Sequence, residues 1–241
     1  MKVFVIGDVH GAYRALKQLI DRVKPQKEDR LIFLGDYVDG WSEALEVVDY
    51  LIHLSSEFDC VFIRGNHDVK CYEWLKDRKV MGDWLAHGGD MTRASYENAS
   101  YEKIALHLDF LENLKNFYID DENRLFIHAG FTSMKGVQKE EYTSNYYWDR
   151  TLWEMAYALD PTLSTNSKKY PKRLALYQEI FIGHTATTSY EKDQPIQAAN
   201  VWNVDTGAAF TGRITALNVR DKALYQSDVV QDLYPNEKGR N

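Results

Sequence analysis

The chain is poor in cysteine, in proline and in long apolar runs. Of its 241 residues only 2 are cysteines, Cys60 and Cys71, and 5 are prolines. Two cysteines cannot build the disulfide framework of a small secreted domain. They read instead as small core residues in a reducing compartment. No apolar run approaches the roughly 20 residues that cross a bilayer. The opening MKVFVIGDVHG offers only Val3 to Ile6 after a single lysine, short of the about 7–15 apolar residues of a signal peptide. The chain is therefore expected in the cytoplasm, without a membrane partner. Basic excess is missing as well: 29 Lys and Arg stand against 36 Asp and Glu, a formal net charge of -7. That balance excludes a sequence-independent grip on a nucleic-acid polymer, which needs clustered cations. There is no repeat, low-complexity tract or Gly/Ser linker, so one domain over 1–241 is expected.

What is present is a soluble composition, 44% hydrophobic and 27% charged, with an orderly pattern. Val3 to Ile6 is a β-branched apolar run closed by Gly7 and predicts a buried strand. Ala12, Leu16, Leu19, Ile20 and Val23 recur at helical spacing until Pro25. Leu31 to Leu34 predicts a second strand. The stripe Leu45, Val48, Leu51 and Ile52 predicts a helix with Ser42 as N-cap, and Val61 to Ile63 a third strand. Strand-helix-strand alternation implies parallel strands and right-handed crossovers in an α/β fold. Further on, the pattern predicts helices over Tyr101 to Lys115 and Asn145 to Leu159, and a hairpin over Phe117 to Ile127. Ser164 to Tyr170 reads as a mobile loop. Strands are expected again at Ile180 to Ile182, Val201 to Val204, Ile214 to Val219 and Ala223 to Gln226.

The chemistry gathers where strands end. The successive runs close in Gly7-Asp8-Val9-His10-Gly11, Gly35-Asp36, Arg64-Gly65-Asn66-His67-Asp68, His128-Ala129-Gly130 and Gly183-His184. In open α/β sheets ligand groups collect beyond the carboxyl ends of strands, so Asp8, His10, Asp36, Asn66, His128 and His184 should share one edge. Each Gly-Asp alone is ordinary turn chemistry and each lone His is more often structural, but the series is hard to obtain from turns. Imidazole, carboxylate and amide oxygen together suit first-row divalent ions better than calcium. Six such ligands suffice for two ions if one carboxylate bridges, an arrangement that clamps both oxygens of a phosphoryl displacement.

The set GDVHG, GDYVDG, RGNHD, HAG and GHT resembles the calcineurin-like metallophosphoesterases, and within them the phosphoprotein phosphatase family with its bacterial and phage members. The resemblance implies a four-layer α/β/β/α sandwich, with residues 134–175 as a candidate helical cap or substrate-side insertion. It implies a first metal on Asp8, His10 and Asp36, and a second on Asp36, Asn66, His128 and His184. The ions would be Mn2+, with Fe or Zn as alternatives. His67 would be the general acid and Asp39 the carboxylate that orients it. Arg64, and Arg150 in Trp148-Asp149-Arg150, would hold substrate phosphate. The implied reaction is in-line attack by a metal-bridging hydroxide on a phosphomonoester, as in a serine/threonine protein phosphatase. The alternative is symmetrical hydrolysis of diadenosine tetraphosphate, and a third is a metal-stabilised module that binds phosphoproteins without turnover. The partner is a phosphoprotein or a small phosphorylated substrate, and the oligomeric state is left open.

One position departs from the family pattern. An arginine usually follows the second aspartate of GDxxD, and here Gly40 and Trp41 follow Asp39. A lost charge-assisted contact costs about 1.5–3 kcal/mol, or one to two orders of magnitude in phosphate binding. Arg93, close to Gly88 and Gly89, is a candidate replacement, and Gly40→Arg would be expected to lower KM. Gly40 also reads simply as a turn residue, with Trp41 packed on the core. Among the nearby aromatics, Trp153 and Tyr157 are expected in the core. His87 is expected to make a structural hydrogen bond.

Overall fold

A computed structural model of the chain describes residues 1–240. The first sheet opens with β1 (Val3–Ile6), crosses over through helix α1 (Tyr13–Val23) to β2 (Arg30–Phe33), and again through α2 (Ala44–Glu57) to β3 (Asp59–Phe62). These three strands are parallel, with Val3 opposite Arg30 and Arg30 opposite Asp59. Helix α3 (Asn66–Asp77), the 3-10 turn Trp84–His87, α4 (Gly89–Ser95) and α5 (Tyr101–Glu112) follow. The second sheet takes β4 (Phe117–Ile119) and β5 (Leu125–Ile127) as an antiparallel hairpin. It continues through the short helices α6 (Asn145–Trp148), α7 (Thr151–Tyr157) and α8 (Lys172–Ala175) to β6 (Ile180–Ile182), β7 (Ile196–Ala198) and β8 (Val201–Asn203). The chain then returns to the first sheet as β9 (Thr215–Asn218) and β10 (Leu224–Gln226), ending in α9 (Val230–Leu233). The strand orders are β10-β9-β1-β2-β3 and β4-β5-β6-β8-β7.

The central strands β1, β2, β5 and β6 read as continuously apolar because they are buried on both faces, whereas the edge strands β3, β4, β7 and β10 are partly exposed. In β1 the side chains of Phe4 and Ile6 join the core under the helices, while Val5 points into the layer between the sheets. In β5 and β6, Leu125, Ile127, Ile180 and Ile182 face the second set of helices, and Phe126 and Phe181 face the first sheet. Those two phenylalanine rings stack at 5.0 Å across neighbouring strands. Helices, sheet, sheet and helices thus form the four expected layers, and the two inner faces bring the carboxyl ends of both parallel sets together.

Several local expectations change. Ser42 does not cap α2; its backbone N–H and hydroxyl both donate to the Glu237 carboxylate, at 3.0 and 2.7 Å. The helix expected over Asn145 to Leu159 is divided into α6 and α7, because the buried Asp149 accepts from Thr151 N and Leu152 N and so starts a new helix. Asp149 does this beside Gly130, where a Cβ would stand 2.4 Å from its Oδ2. Tyr157 is 50% exposed rather than in the core, while Trp153 is buried as expected. The sequence pattern gives no sign of helices α3, α4, α8 and α9 or of strand β7.

Candidate active site

Each of the loops after β1, β2, β5 and β6, and the first turn of α3 after β3, delivers side chains to one place. Asp8, His10, Asp36, Asn66, His67 and His128 are buried and converge there with His184. Ligand atoms of His10, Asp36 and His67 lie within 4.8 Å of one another, and so do those of Asp36, His128 and His184. Asp36 is common to the two groups. His10 Nε2 is 3.7 Å from both Asp8 Oδ2 and Asp36 Oδ2. His128 Nε2 is 3.4 Å from Asp36 Oδ2 and 3.2 Å from both Asn66 Oδ1 and His184 Nδ1.

The ring orientations are fixed from behind. His128 Nδ1 donates to Leu34 O at 2.8 Å, and His10 Nδ1 to Asp39 O at 3.0 Å. Carbonyls only accept, so each neutral ring turns a bare Nε2 toward the carboxylates. Acceptors turned on one point fit cations, and the oxygen and imidazole mixture fits divalent first-row ions. The buried His184 Nε2 has no hydrogen-bond partner among the described residues. In protonated form the same cluster is electrically tense. Burial opposes a charged His128, but Asp36 and Asp8 overcome it and push the ring up to about 10. Burial lifts Asp8 to about 7 against the pull of His128. Burial also opposes an ionised Asp36, yet His128 and His67 hold it well below the usual carboxylate range.

The backbone is bent to make this arrangement. His10, Asp36, Asp39 and His184 all have positive φ, at 54, 53, 70 and 68°. For non-glycine residues this costs about 1–2 kcal/mol each, and such strain concentrates at functional sites. Two glycines admit the carboxylates rather than a substrate: a Cβ on Gly65 or Gly183 would stand 2.1 Å from Asp36 Oδ1 or Asp8 Oδ1. Gly183→Ala is accordingly expected to displace Asp8 and weaken metal binding by about 10–100-fold, with the fold retained. Titration of the purified variant with Mn2+ by calorimetry checks this, and unchanged affinity would refute it.

His67 and Asp39 form a close pair, His67 Nδ1 to Asp39 Oδ2 at 2.6 Å. Asp39 is fully buried and accepts also from Trp84 Nε1 and the Thr92 hydroxyl, each at 2.6 Å. Those donors satisfy the carboxylate and leave it one orientation. The imidazole Nε2 is then free to face the cleft of about 220 Å³ that the ring lines with Asp36, Asn66, Lys70, Trp148, Arg150, His184 and Arg240.

The two predicted phosphate ligands separate. Arg150 lines the cleft and donates to Thr185 Oγ1 at 3.0 Å. Arg64 turns away: its guanidinium donates to Glu112 O at 2.8 Å, at the end of α5, where a cation satisfies the open carbonyls of a helix C-terminus. Arg93 faces a different groove, with Trp74, Arg78 and Glu97. The backbone and packing at Gly40 also oppose the gain expected from Gly40→Arg. Gly40 sits at φ +115°, and a Cβ there would be 3.3 Å from His10 O and from Arg240 Cγ. His87 makes the expected hydrogen bond, its Nδ1 meeting Asp83 O at 3.0 Å, and it also lines the cleft.

Four residues were missed. Asp68 binds Asp36 N, Tyr37 N and Gly65 N through its two oxygens, tying the second loop to α3. Asp205, after β8, is buried and is lifted to about 7 by burial and by the charge of Asp8. Its run Val201-Trp202-Asn203-Val204-Asp205-Thr206-Gly207 repeats the apolar-run-then-acid signal of the earlier strands. Lys70, one turn into α3 from His67, and Arg240, remote in sequence from every motif, also line the cleft.

Comparison with known proteins agrees with this geometry. The asymmetrical bis(5'-nucleosyl)-tetraphosphatase PrpE of Halalkalibacterium halodurans is 30% identical across 100% of this chain and 99% of its own length. Its counterpart in Oceanobacillus iheyensis is 26% identical across 92% and 90%. A solved structure provisionally assigned as a diadenosine tetraphosphatase superposes with a TM-score of 0.64 at 17% identity, over 93% and 92% of the two chains. A Saccharomyces cerevisiae protein serine/threonine phosphatase superposes with a TM-score of 0.60 at 16% identity, over 94% and 79%. The calcineurin-like phosphoesterase family profile matches residues 1–204. The chain therefore belongs to the calcineurin-like phosphoesterase family, whose members work with divalent metals.

Proposed function

We propose that this chain hydrolyses the polyphosphate bridge of a dinucleoside tetraphosphate asymmetrically, releasing a nucleoside triphosphate and a nucleoside monophosphate. The observation that carries this reading is the likeness, over the whole chain, to relatives named as asymmetrical bis(5'-nucleosyl)-tetraphosphatases. It takes the place of the protein phosphatase expected from the motifs, and of the symmetrical cleavage offered as the alternative. The cleft is consistent with it. Lys70 and Arg150 offer two cations beside the histidines, more than a single phosphoryl group requires. The Trp148 ring is 46% exposed, 5.9 Å edge-on to His184, and has Lys70 Nζ 5.3 Å over its face, so a base at this edge of the cleft would meet an aromatic ring and a cation together.

In this reading Asp8, His10, Asp36, Asn66, His128 and His184 would hold two divalent ions, Mn2+ or alternatively Fe or Zn, with Asp36 common to both ligand groups. Bound there, such ions would supply Lewis-acid polarisation of phosphoryl oxygens and lower the pKa of water. As a water oxygen bonds to phosphorus and sheds a proton to solvent, the bridging P–O bond breaks and His67 delivers a proton from Nε2 to the leaving phosphate oxygen, while Asp39 fixes the His67 tautomer and stabilises the charged ring. Arg150 steadies the nonbridging oxygens. Residues 134–175, which carry Trp148 and Arg150 and bury Leu152, Trp153 and Leu174 against the second sheet, form the substrate-side wall. The test is Mn2+-supplemented enzyme on diadenosine tetraphosphate beside a phosphopeptide panel, with products resolved by chromatography. ATP plus AMP is the expected result; two ADP would overturn the asymmetry, and turnover of phosphopeptides alone would overturn the substrate.

A further inference from the structure

Gly40 and Trp41 leave the position after Asp39 without a cation, and the structure brings one back from a distance. Trp41 is fully buried and donates Nε1 to Ala208 O at 2.8 Å. Its indole packs on the Tyr234 ring at 5.2 Å, and Gly239 passes so close that a Cβ there would stand 2.7 Å from Trp41 Cζ2. Ser42 holds Glu237 through two hydrogen bonds. Arg240 N then donates to Ala209 O at 2.8 Å. The residues directly after Gly40 thus anchor the segment that carries Arg240.

Arg240 lies over the gap. Its Cγ is 3.3 Å from where a Gly40 Cβ would be and 3.2 Å from where a Gly88 Cβ would be. A Cβ at either position would crowd that stem, and one on Gly88 would first strike the Gly40 backbone, 2.5 Å from its N. The Phe210 ring centroid is 5.4 Å from Arg240 Cζ. The residue lines the cleft with His67, Asn66 and Arg150. Its Nε is buried and has no hydrogen-bond partner among the described residues. A buried guanidinium donor without an acceptor is costly, and guanidinium matches a phosphoryl group in both shape and charge.

We infer that Arg240 is a substrate-binding residue, donating to a nonbridging phosphoryl oxygen in the cleft, with Gly40 and Gly88 as the space for its stem and Trp41 as the anchor of its segment. The inference rests on the phosphoester reading of the cleft, and holds whichever phosphoester is the substrate.

The test uses Mn2+-loaded enzyme and three probes: p-nitrophenyl phosphate and diadenosine tetraphosphate as substrates, inorganic phosphate as inhibitor. Arg240→Ala should raise the Ki of phosphate and the KM of p-nitrophenyl phosphate about tenfold, while metal content and Tm stay as in the parent. Arg240→Lys should recover part of the loss, and millimolar guanidinium should restore phosphate binding to Arg240→Ala alone. An unchanged Ki overturns the inference, as does a raised Ki accompanied by a lower Tm and no rescue, which marks a structural residue. Should diadenosine tetraphosphate prove inert while the Ki effect stands, the dinucleotide reading fails and the assignment of Arg240 survives.

Discussion

Asp36→Asn is expected to abolish both metal sites together, since one carboxylate belongs to both ligand groups. Removing a neighbour that merely orients a ligand costs about 10–100-fold in metal affinity. Loss at two sites should compound to about 10²–10⁴-fold in turnover. The amide is nearly isosteric, and the backbone N–H of His67 still finds an acceptor where Asp36 Oδ1 now accepts at 2.9 Å, so the fold should persist. Metal analysis of the dialysed variant is decisive: retention of one tightly held ion would contradict a shared ligand.

His67→Asn is expected to separate chemistry from metal binding. A positioned general acid contributes about 10²–10⁴-fold, and its value grows with the basicity of the leaving oxygen. Turnover of an alkyl phosphate should fall toward that limit, while p-nitrophenyl phosphate, whose phenolate leaves readily, should lose far less. Because His67 lies within reach of His10 and Asp36, metal content must be measured alongside. Equal losses on both substrates would refute proton donation, and loss of an ion would make His67 a ligand instead.

The residues proposed as ligands were legible because they are local. Each stands within five residues of the end of a strand, and the bends that aim Asp8, Asp36 and His184 are written in the adjoining glycines. The central strands were legible for the same reason, as apolar runs buried on both faces. Less was visible where a short stretch has two uses. Asp149 reads as part of an aromatic helix and instead starts a new one. Tyr157, on the same face as Trp153, packs on that ring and on Tyr190, but it is the last residue of α7 and stays half exposed at the helix end.

Fold class, edge and metal chemistry therefore follow from residues near one another in the chain. The surroundings of the phosphate do not. Arg64 adjoins a ligand motif yet is captured by the carbonyls of α5, a contact spanning 48 residues. Asp205 reaches Asp8 only because β8 ends beside β1, at the seam between the sheets. Arg240 reaches Gly40 because Trp41 packs on Tyr234 and Gly239, Ser42 holds Glu237, 195 residues away in sequence, and Ala209 O accepts from Arg240 N. Spacing and periodicity describe neighbours along the backbone, whereas a cation for a phosphoryl group is recruited from whichever segment packs against the gap. The glycine and tryptophan after Asp39 mark an arginine as missing, and tertiary packing decides which arginine replaces it.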